Sequence, residues 1–412
     1  EVNQEYIMPR NELTKVDNAL RIILETLNTK NSELIETKNS FNRILASDVV
    51  SKVNHPSANL SSMDGYAINI KKKLKPCYNV VGTSSAGNPL NKNLKIDDAV
   101  RIFTGAIIPK NSNKIVIQED VTLEKDKIVL KKQISTGNFI RKKGMDFKKN
   151  EIILTKGTKI NSRNISLIFL SGNKKVRVYK KPKIGILSSG DELVRDITHS
   201  KSGQVINSNS IFLKHLILSN NCIPVDFGII RDKPNQLLKK TKQKKFKDVD
   251  LVVSTGGASV GDKDFLIKEF KLKADIIKIW KIAMKPGKPL FFGEFNGKPF
   301  IGLPGNPVSV GVCSLMFLLP AIFRLKGENF KHKIVLAQTK MKLSKNGIRK
   351  DFIRANLYVN EKNKNFVTFK KLQDSSMLRT FSHSNCLIIR EPYSNEVKIN
   401  EIVKVIMFPD YF

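Results

Sequence analysis

Ile184-Gly185-Ile186-Leu187-Ser188-Ser189-Gly190-Asp191-Glu192-Leu193 is the stretch on which the fold turns. Its first four residues are apolar or small, with no polar alternation. That predicts a strand buried on both faces, as in the interior of a parallel sheet. The glycine at 190 lets the backbone bend sharply and approach a ligand, so Asp191 and Glu192 stand at the carboxyl end of the strand. Downstream, helices are predicted near 209–219, 234–246 and 263–270. Between them come apolar strands at 223–229 and Leu251-Val252-Val253, an extended stretch at 276–283, a strand at 289–292, and a long apolar helix at 307–325. Alternation of this kind predicts a parallel sheet covered by helices on both faces. Ligands of such sheets sit beyond the carboxyl ends of the strands.

Upstream of this region the periodicity differs. Leu13, Val16, Leu20, Ile23 and Leu27 recur at three- and four-residue steps, predicting an amphipathic helix over 11–28. Short β runs follow at 78–81, 100–103, 114–117, 127–130 and 151–154, separated by Gly and Asn. A second helix is predicted from Ser162, as N-cap, to Leu170, with Gly172 as the stop. Pairing of the two helices would make the β region an insertion between them. Beyond Gly327, five runs without helices (333–343, 351–359, 365–372, 386–390 and 402–408) predict a small barrel or sandwich.

The chain has 412 residues, 41% of them hydrophobic and 26% charged, which is globular composition spread over two to four domains. The net charge of +35 invites a nucleic-acid reading. Against it, Lys far outnumbers Arg, Asn and Ile are abundant throughout, and the basic residues form no single stripe. This is the pattern an A/T-rich coding sequence imposes on solvent-facing positions. No nucleic-acid or membrane partner is expected. Val308 to Phe323 is shorter than the roughly 18–20 apolar residues that span a bilayer, and it contains Pro320. No signal-peptide pattern is visible at Glu1-Val2-Asn3-Gln4. Cys77, Cys222, Cys313 and Cys386 are far apart and form no disulfide or zinc pattern, which fits a reducing, cytoplasmic compartment.

Four further segments carry candidate chemistry. Ser254-Thr255-Gly256-Gly257-Ala258-Ser259-Val260-Gly261-Asp262 follows an apolar strand, and its glycines can form a nest of N–H groups for a phosphate or oxyanion. Asp262 could hold Mg²⁺ against that phosphate. In Lys281-Ile282-Ala283-Met284-Lys285-Pro286-Gly287-Lys288-Pro289, an extended backbone would put Lys281 and Lys285 on one face. With Lys288 they would bind a dianion, although in a chain this rich in lysine a solvated cluster is a serious competitor. Gly302-Leu303-Pro304-Gly305-Asn306-Pro307-Val308-Ser309 reads as a stiff turn entering the apolar helix at Pro307. Ser61-Ser62-Met63-Asp64-Gly65-Tyr66-Ala67 reads by itself as a structured surface loop.

Taken in order, six segments resemble the molybdopterin molybdenumtransferases, the family of MoeA and the gephyrin E domain. They are Ser62 to Ala67, Phe103-Thr104-Gly105-Ala106, Ser189 to Leu193, Gly257 to Asp262, Lys285 to Pro289 and Gly302 to Pro307. The resemblance implies an α/β multidomain homodimer. Residues 1–50 and 150–180 would form a helical dimerisation domain and 51–149 an inserted β domain. Residues 181–328 would form the α/β molybdopterin-binding domain and 329–412 a C-terminal β-barrel. It also implies a reaction in which molybdopterin-adenylate and molybdate give molybdenum cofactor and AMP, with Mg²⁺. Position by position, Asp64, Thr104, Asp146, Glu192, Asp232, Asp262, Lys281 and Lys285 match the family's functional residues. By this resemblance Glu192, Asp232 and Asp262 hold Mg²⁺ or order the adenylyl phosphate, Lys281 and Lys285 neutralise molybdate or pyrophosphate, and Asp64 and Asp146 come from the partner subunit. The pterin nucleotide would lie against Ser189, Gly190, Gly256, Gly257, Ser259, Gly261, Pro286, Gly287, Lys288, Pro304, Gly305 and Asn306. Contacts with a molybdopterin adenylyltransferase and with recipient apoenzymes are implied as well.

Two departures each remove a carboxylate: Asp232 is followed by Lys233 where the family often pairs aspartates, and Met145 stands before Asp146 where an acidic residue is usual. Three competing readings remain. A molybdopterin adenylyltransferase would carry Thr-Gly-Gly-Thr-Gly where this chain has Thr255-Gly256-Gly257-Ala258-Ser259. A competence-damage-type nucleotide pyrophosphatase or amidase would carry Gly-Pro at Ser259-Val260. A molybdopterin-binding scaffold or carrier without catalysis would leave the carboxylates and lysines unexplained.

Overall fold

A computed structural model of the chain describes residues 12–71, 73–196, 198, 201–257 and 265–412. Ser259, Gly261 and Asp262 lie outside the described residues. The chain forms two compact units, Glu1–Ser32 with Tyr179–Phe412, and Glu33–Val178.

The first unit is built on a six-stranded sheet. Its order is Ile223–Ile230, Lys183–Ser189, Leu251–Thr255, Lys298–Leu303, Phe291–Phe295, Ile276–Trp280. The first four strands are mutually parallel. Leu251–Thr255 is buried at all five positions, as an apolar run without alternation requires. The expected parallel sheet needs a correction, because one strand, Phe291–Phe295, runs against the other five and pairs antiparallel with both of its neighbours. The reversal comes from Asn296-Gly297, both at positive φ, joining Phe295 to Lys298. An Asn-Gly pair of this geometry closes a two-residue hairpin, and it adds the strand Lys298–Leu303.

The helix from Pro307 to Lys326 crosses the centre of this unit. It is long and apolar enough to span a membrane, but 94% of its apolar window is buried inside the protein, which makes it a core helix. At Ser314–Leu318 the winding loosens to a π turn just ahead of Pro320. A proline cannot donate to the preceding turn, and a π turn absorbs that break. The first helix, Val16–Thr26, buries Val16, Ala19 and Ile23 in this same core, beside Ile322 and Leu325. The second predicted helix belongs to the other unit. That helix, Ser162–Leu170, packs Ile168 against Leu45, Val49 and Val178 in the other unit. Its N-cap is Asn161 rather than Ser162, in a reciprocal capping box with Asn164.

The five C-terminal runs form a closed barrel: Lys350–Val359, Asn365–Phe369, Ile334–Thr339, Ile402–Met407, Cys386–Arg390, and back to Lys350–Val359. Closure leaves no free sheet edge. The two-residue strand Met284–Lys285 pairs in parallel with Lys350 and Asp351 and stitches the barrel to the α/β region.

The second unit holds another six-stranded sheet: Lys114–Ile117, Gly65–Ile68, Asp98–Ile102, Cys77–Ser84, Lys127–Leu130, Val121–Glu124. Gly65-Tyr66-Ala67, expected in a surface loop, is part of a fully buried inner strand. Only Ser62, Met63 and Asp64 remain in the preceding turn.

Candidate active site

Three strands of the parallel set end side by side, at Ser189, Thr255 and Leu303. The loops that follow are bound to one another. Asn209 donates to Thr255 Oγ1 at 2.9 Å and to the Gly305 carbonyl at 2.7 Å, and Thr255 Oγ1 donates to the Pro304 carbonyl at 3.2 Å. Gly256 has a φ of +78°, and a Cβ there would fall 2.2 Å from the Ser189 carbonyl oxygen. Only glycine lets the two strand ends approach this closely.

Beyond these ends lies a cleft of about 560 Å³. Gly256 and Gly257 form one side of it with Pro304, Gly305 and Asn306. Lys285, Pro286, Gly287 and Lys288 form another, and Glu192 reaches its edge. These predicted residues are thus brought together. Lys281 is not among the lining residues. It takes a left-handed φ of +66°, which breaks the extended backbone needed to align it with Lys285.

The third wall comes from the barrel and includes Arg349, Asp351, Arg354, Gln373, Asp374 and Ser375. No motif in the sequence marks these residues. Their one signal is cross-strand: Met284–Lys285 lies beside Lys350 and Asp351. Arg354 is only 1% exposed, and its Nε and Nη2 have no hydrogen-bond partner among the described residues. Burial lowers its pKa, partly offset by the charges of Asp351 and Asp374. Lys285 Nζ lies 3.6 Å from Asp351 Oδ2. Burial raises the Asp351 carboxyl above its ordinary value, and Lys285 opposes that rise. The cleft therefore presents positive groups whose charge is incompletely answered by protein. This environment suits a small multivalent oxyanion.

Acidic groups gather beside this cleft. Asp191 N–H donates to Asp232 Oδ2 at 3.3 Å, and Asp232 N–H donates to Asp191 Oδ1 at 3.1 Å. Ser189 Oγ reaches Asp232 Oδ1 at 3.5 Å. Burial raises the Asp232 pKa; the Asp191 amide lowers it, and the charges of Asp191 and Glu192 push it up again. The Glu192 carboxylate folds back over Gly190, where a Cβ would meet both of its oxygens at 2.6 Å. Arg231 braces this loop by donating to the carbonyls of Gly190, Asp191 and Leu193, a role with no sequence signal of its own. Carboxylates that crowd Asp232 and raise its pKa fit a hard cation such as Mg²⁺, which needs only one or two protein carboxylates beside water and phosphate. Among the described residues, no group of three or more His, Cys, Asp or Glu is assembled as a complete metal site.

In the second unit, Asp64 accepts hydrogen bonds from Thr104 N at 2.7 Å and Thr104 Oγ1 at 2.9 Å. These bonds hold its carboxyl below the ordinary carboxylate range, with a smaller contribution from Arg101. The Arg101 guanidinium is stacked on the rings of Tyr66 and Phe103. Asp146 is exposed at a separate turn, its N–H donating to the His55 carbonyl.

A glycine-lined, cation-walled cleft at the carboxyl ends of parallel strands defines an anion-binding α/β protein. The profile of the "MoeA N-terminal region (domain I and II)" matches residues 14–172. That of the "Probable molybdopterin binding domain" matches 185–324, and that of the "MoeA C-terminal region (domain IV)" matches 337–408. The chain is 35% identical to the molybdopterin molybdenumtransferase of Haemophilus influenzae over 378 residues, covering 91% of this chain and 93% of that one. It is 31% identical to the molybdopterin molybdenumtransferase of a Nostoc species, over 80% of this chain and 78% of that one. The structure superposes on the molybdopterin biosynthesis MoeA protein of Pyrococcus horikosii with a TM-score of 0.83 at 25% identity, covering 97% of this chain and 100% of that one. The chain belongs to the molybdopterin molybdenumtransferase family.

Proposed function

We propose that this protein inserts molybdenum from molybdate into molybdopterin presented as its adenylate, with release of AMP. The observation that carries this reading is Arg354: a buried guanidinium with unpartnered Nε and Nη2 in a cleft that also holds Lys285 and Lys288. A tetrahedral dianion would meet that cationic wall while the glycine turn at 256–257 faces the nucleotide phosphate. No protein nucleophile is required. A molybdate oxygen attacks the adenylyl phosphorus, the bond from phosphorus to the pterin phosphate breaks, and that molybdate oxygen leaves with AMP once the dithiolene sulfurs bind molybdenum. The protein supplies position and charge.

Glu192 and Asp232, with Asp262, would hold Mg²⁺, and the bound cation would supply positive charge beside the phosphate. Following the family resemblance, the protein acts as a cytoplasmic homodimer, and Asp64, Thr104 and Asp146 of the second copy complete the site. Contacts with the adenylyltransferase that supplies the substrate and with recipient apoenzymes belong to the same reading.

The test mixes the protein with molybdopterin-adenylate, Mg²⁺ and micromolar molybdate, and follows AMP release and reconstitution of a cofactor-free apoenzyme. Molybdate-dependent AMP release, abolished in Asp262→Asn and in Arg354→Ala, is the expected result. Tight pterin binding without molybdate-dependent AMP release would sink the proposal in favour of a carrier.

A further inference from the structure

We infer that Gln373 is a positioning residue that holds Arg354 for the oxyanion; this rests on the reading of the cleft proposed above. The strand Lys350–Val359 has two edges at Arg354. On one side Arg354 lies opposite Leu387. On the other, the neighbouring strand stops one residue short, its last pair being Ala355 with Phe369. The side-chain amide of Gln373 takes that place in the ladder. Arg354 N–H donates to Gln373 Oε1 at 3.0 Å, and Gln373 Nε2 donates to the Arg354 carbonyl at 3.2 Å. Gln373 Nε2 also donates to the Lys370 carbonyl at 2.8 Å, so the amide is itself oriented. A carboxamide offers the same donor and acceptor as a peptide unit, so one side chain can extend a β ladder by one rung.

Two residues on, the segment is tied to the opposite wall. Asn306 Nδ2 donates to Ser375 Oγ at 2.7 Å, and Val308 N–H donates to the Ser375 carbonyl at 3.1 Å. The span from Gln373 to Ser375 thus sets the separation between the barrel strand carrying Arg354 and the loop carrying Gly305 and Asn306. Its effect on Arg354 follows from the charges nearby. The guanidinium feels both Asp351 and Asp374. A strand end free to shift would let it settle on either carboxylate, where its charge would be spent before a ligand arrived. Anchoring the backbone at 354 holds this buried guanidinium, with Nε and Nη2 unpartnered among the described residues, at the cleft wall.

The test is a double-mutant cycle read by molybdate titration of AMP release. Gln373→Met keeps the side-chain length and removes both hydrogen bonds. Its molybdate KM is expected to rise about tenfold, with kcat falling by less. In an Arg354→Ala background the same substitution should have no further effect on that KM. A merely structural role predicts the opposite pattern: equal losses in both backgrounds, or a fall in kcat with the molybdate KM unchanged. Either result overturns the inference. Gln373→Glu provides a second variant should methionine prevent folding. It keeps the acceptor, loses the donor and adds a third carboxylate competing for the guanidinium, so an unchanged molybdate KM there also overturns it. If Arg354→Ala itself leaves the molybdate KM unchanged, the oxyanion reading of the cleft fails, whatever Gln373 does. If Arg354→Ala raises it and Gln373→Met does not, only the role of Gln373 fails.

Discussion

Lys285 Nζ stands 3.6 Å from Asp351 Oδ2, across the seam where Met284–Lys285 pairs in parallel with Lys350 and Asp351. The pair joins two walls of the cleft and sets the charge that a ligand meets. Burial raises the Asp351 pKa and Lys285 opposes that rise. Lys285→Met should therefore move the Asp351 titration to still higher pH, visible in a carboxyl-carbon NMR titration. It should also cost about a hundredfold in molybdate-dependent turnover, the size seen when one stabilising donor is lost. A titration that stays in place or moves down would show that the ammonium does not govern this carboxylate.

Arg354→Met tests the cost of the unpartnered cation. A buried charge without a partner is destabilising, so the empty variant should be more stable than the parent by about 1–2 kcal/mol in urea denaturation. Molybdate at a hundred times its Kd should stabilise the parent by about 2.7 kcal/mol and the variant not at all. Equal stabilisation of both would place the oxyanion elsewhere.

Asp64 and Thr104 predict an acid-side dependence. The folded pKa of Asp64 is lowered by the amide and hydroxyl of Thr104. Its contribution to stability is then present above the unfolded value and lost as pH falls through the folded one. Thr104→Val removes the hydroxyl donor and keeps the amide, so the Asp64 titration should move up toward its ordinary range. An unshifted titration would mean that the amide alone sets it.

Gly256→Ala should destabilise the protein by at least about 1–3 kcal/mol, the cost of a strained left-handed residue, since its Cβ would also meet the Ser189 carbonyl at 2.2 Å. Gly297→Ala is a useful control, because its φ is also positive, at +69°, but its Cβ would meet nothing within 4 Å. Chemical denaturation of the two variants separates close approach from backbone strain. Equal losses would remove the argument that the strand ends require glycine for space.

His332 predicts a second pH dependence. Burial drives its pKa down to about 4, and its Nε2 is buried without a partner among the described residues. Between its unfolded value of about 6.5 and the folded one, the unfolded state binds more protons, so stability falls as pH drops through this window. His332→Phe should flatten that slope in pH-dependent thermal unfolding. A slope unchanged by the substitution would assign the acid sensitivity to other groups.

Much of this architecture could be read along the chain. Unbroken apolar runs such as Leu251-Val252-Val253 must be buried on both faces, and the five C-terminal runs must close or cover their edges, so an α/β region followed by a barrel was legible. Two local signals lie in the sequence itself: Asn296-Gly297, which closes the hairpin of the one reversed strand, and Asn161, which caps its helix one residue earlier than expected. Both are short-range chemistry and could have been found. The first helix was different, because its apolar stripe shows that it packs but not against what. Its burial beside Ile322 is a choice among several apolar surfaces, made only when the chain collapses.

The candidate site divides along the same line. The glycines of the strand-end loops, the lysines around Pro286 and the carboxylates near Gly190 announce themselves, because tight turns and clustered charge are properties of consecutive residues. Sequence by itself determined which loops could meet an anion. Arg354, Asp351 and Gln373 lie in ordinary barrel sequence, and nothing in their neighbours distinguishes them from structural residues. Only the tertiary structure decided that Lys285 faces Asp351, that Lys281 is not among the cleft's lining residues, and that Arg354 is buried with Nε and Nη2 unanswered among the described residues. The physical reason is that desolvation and charge pairing depend on distance in space, and β pairing between remote segments sets that distance where chain order cannot.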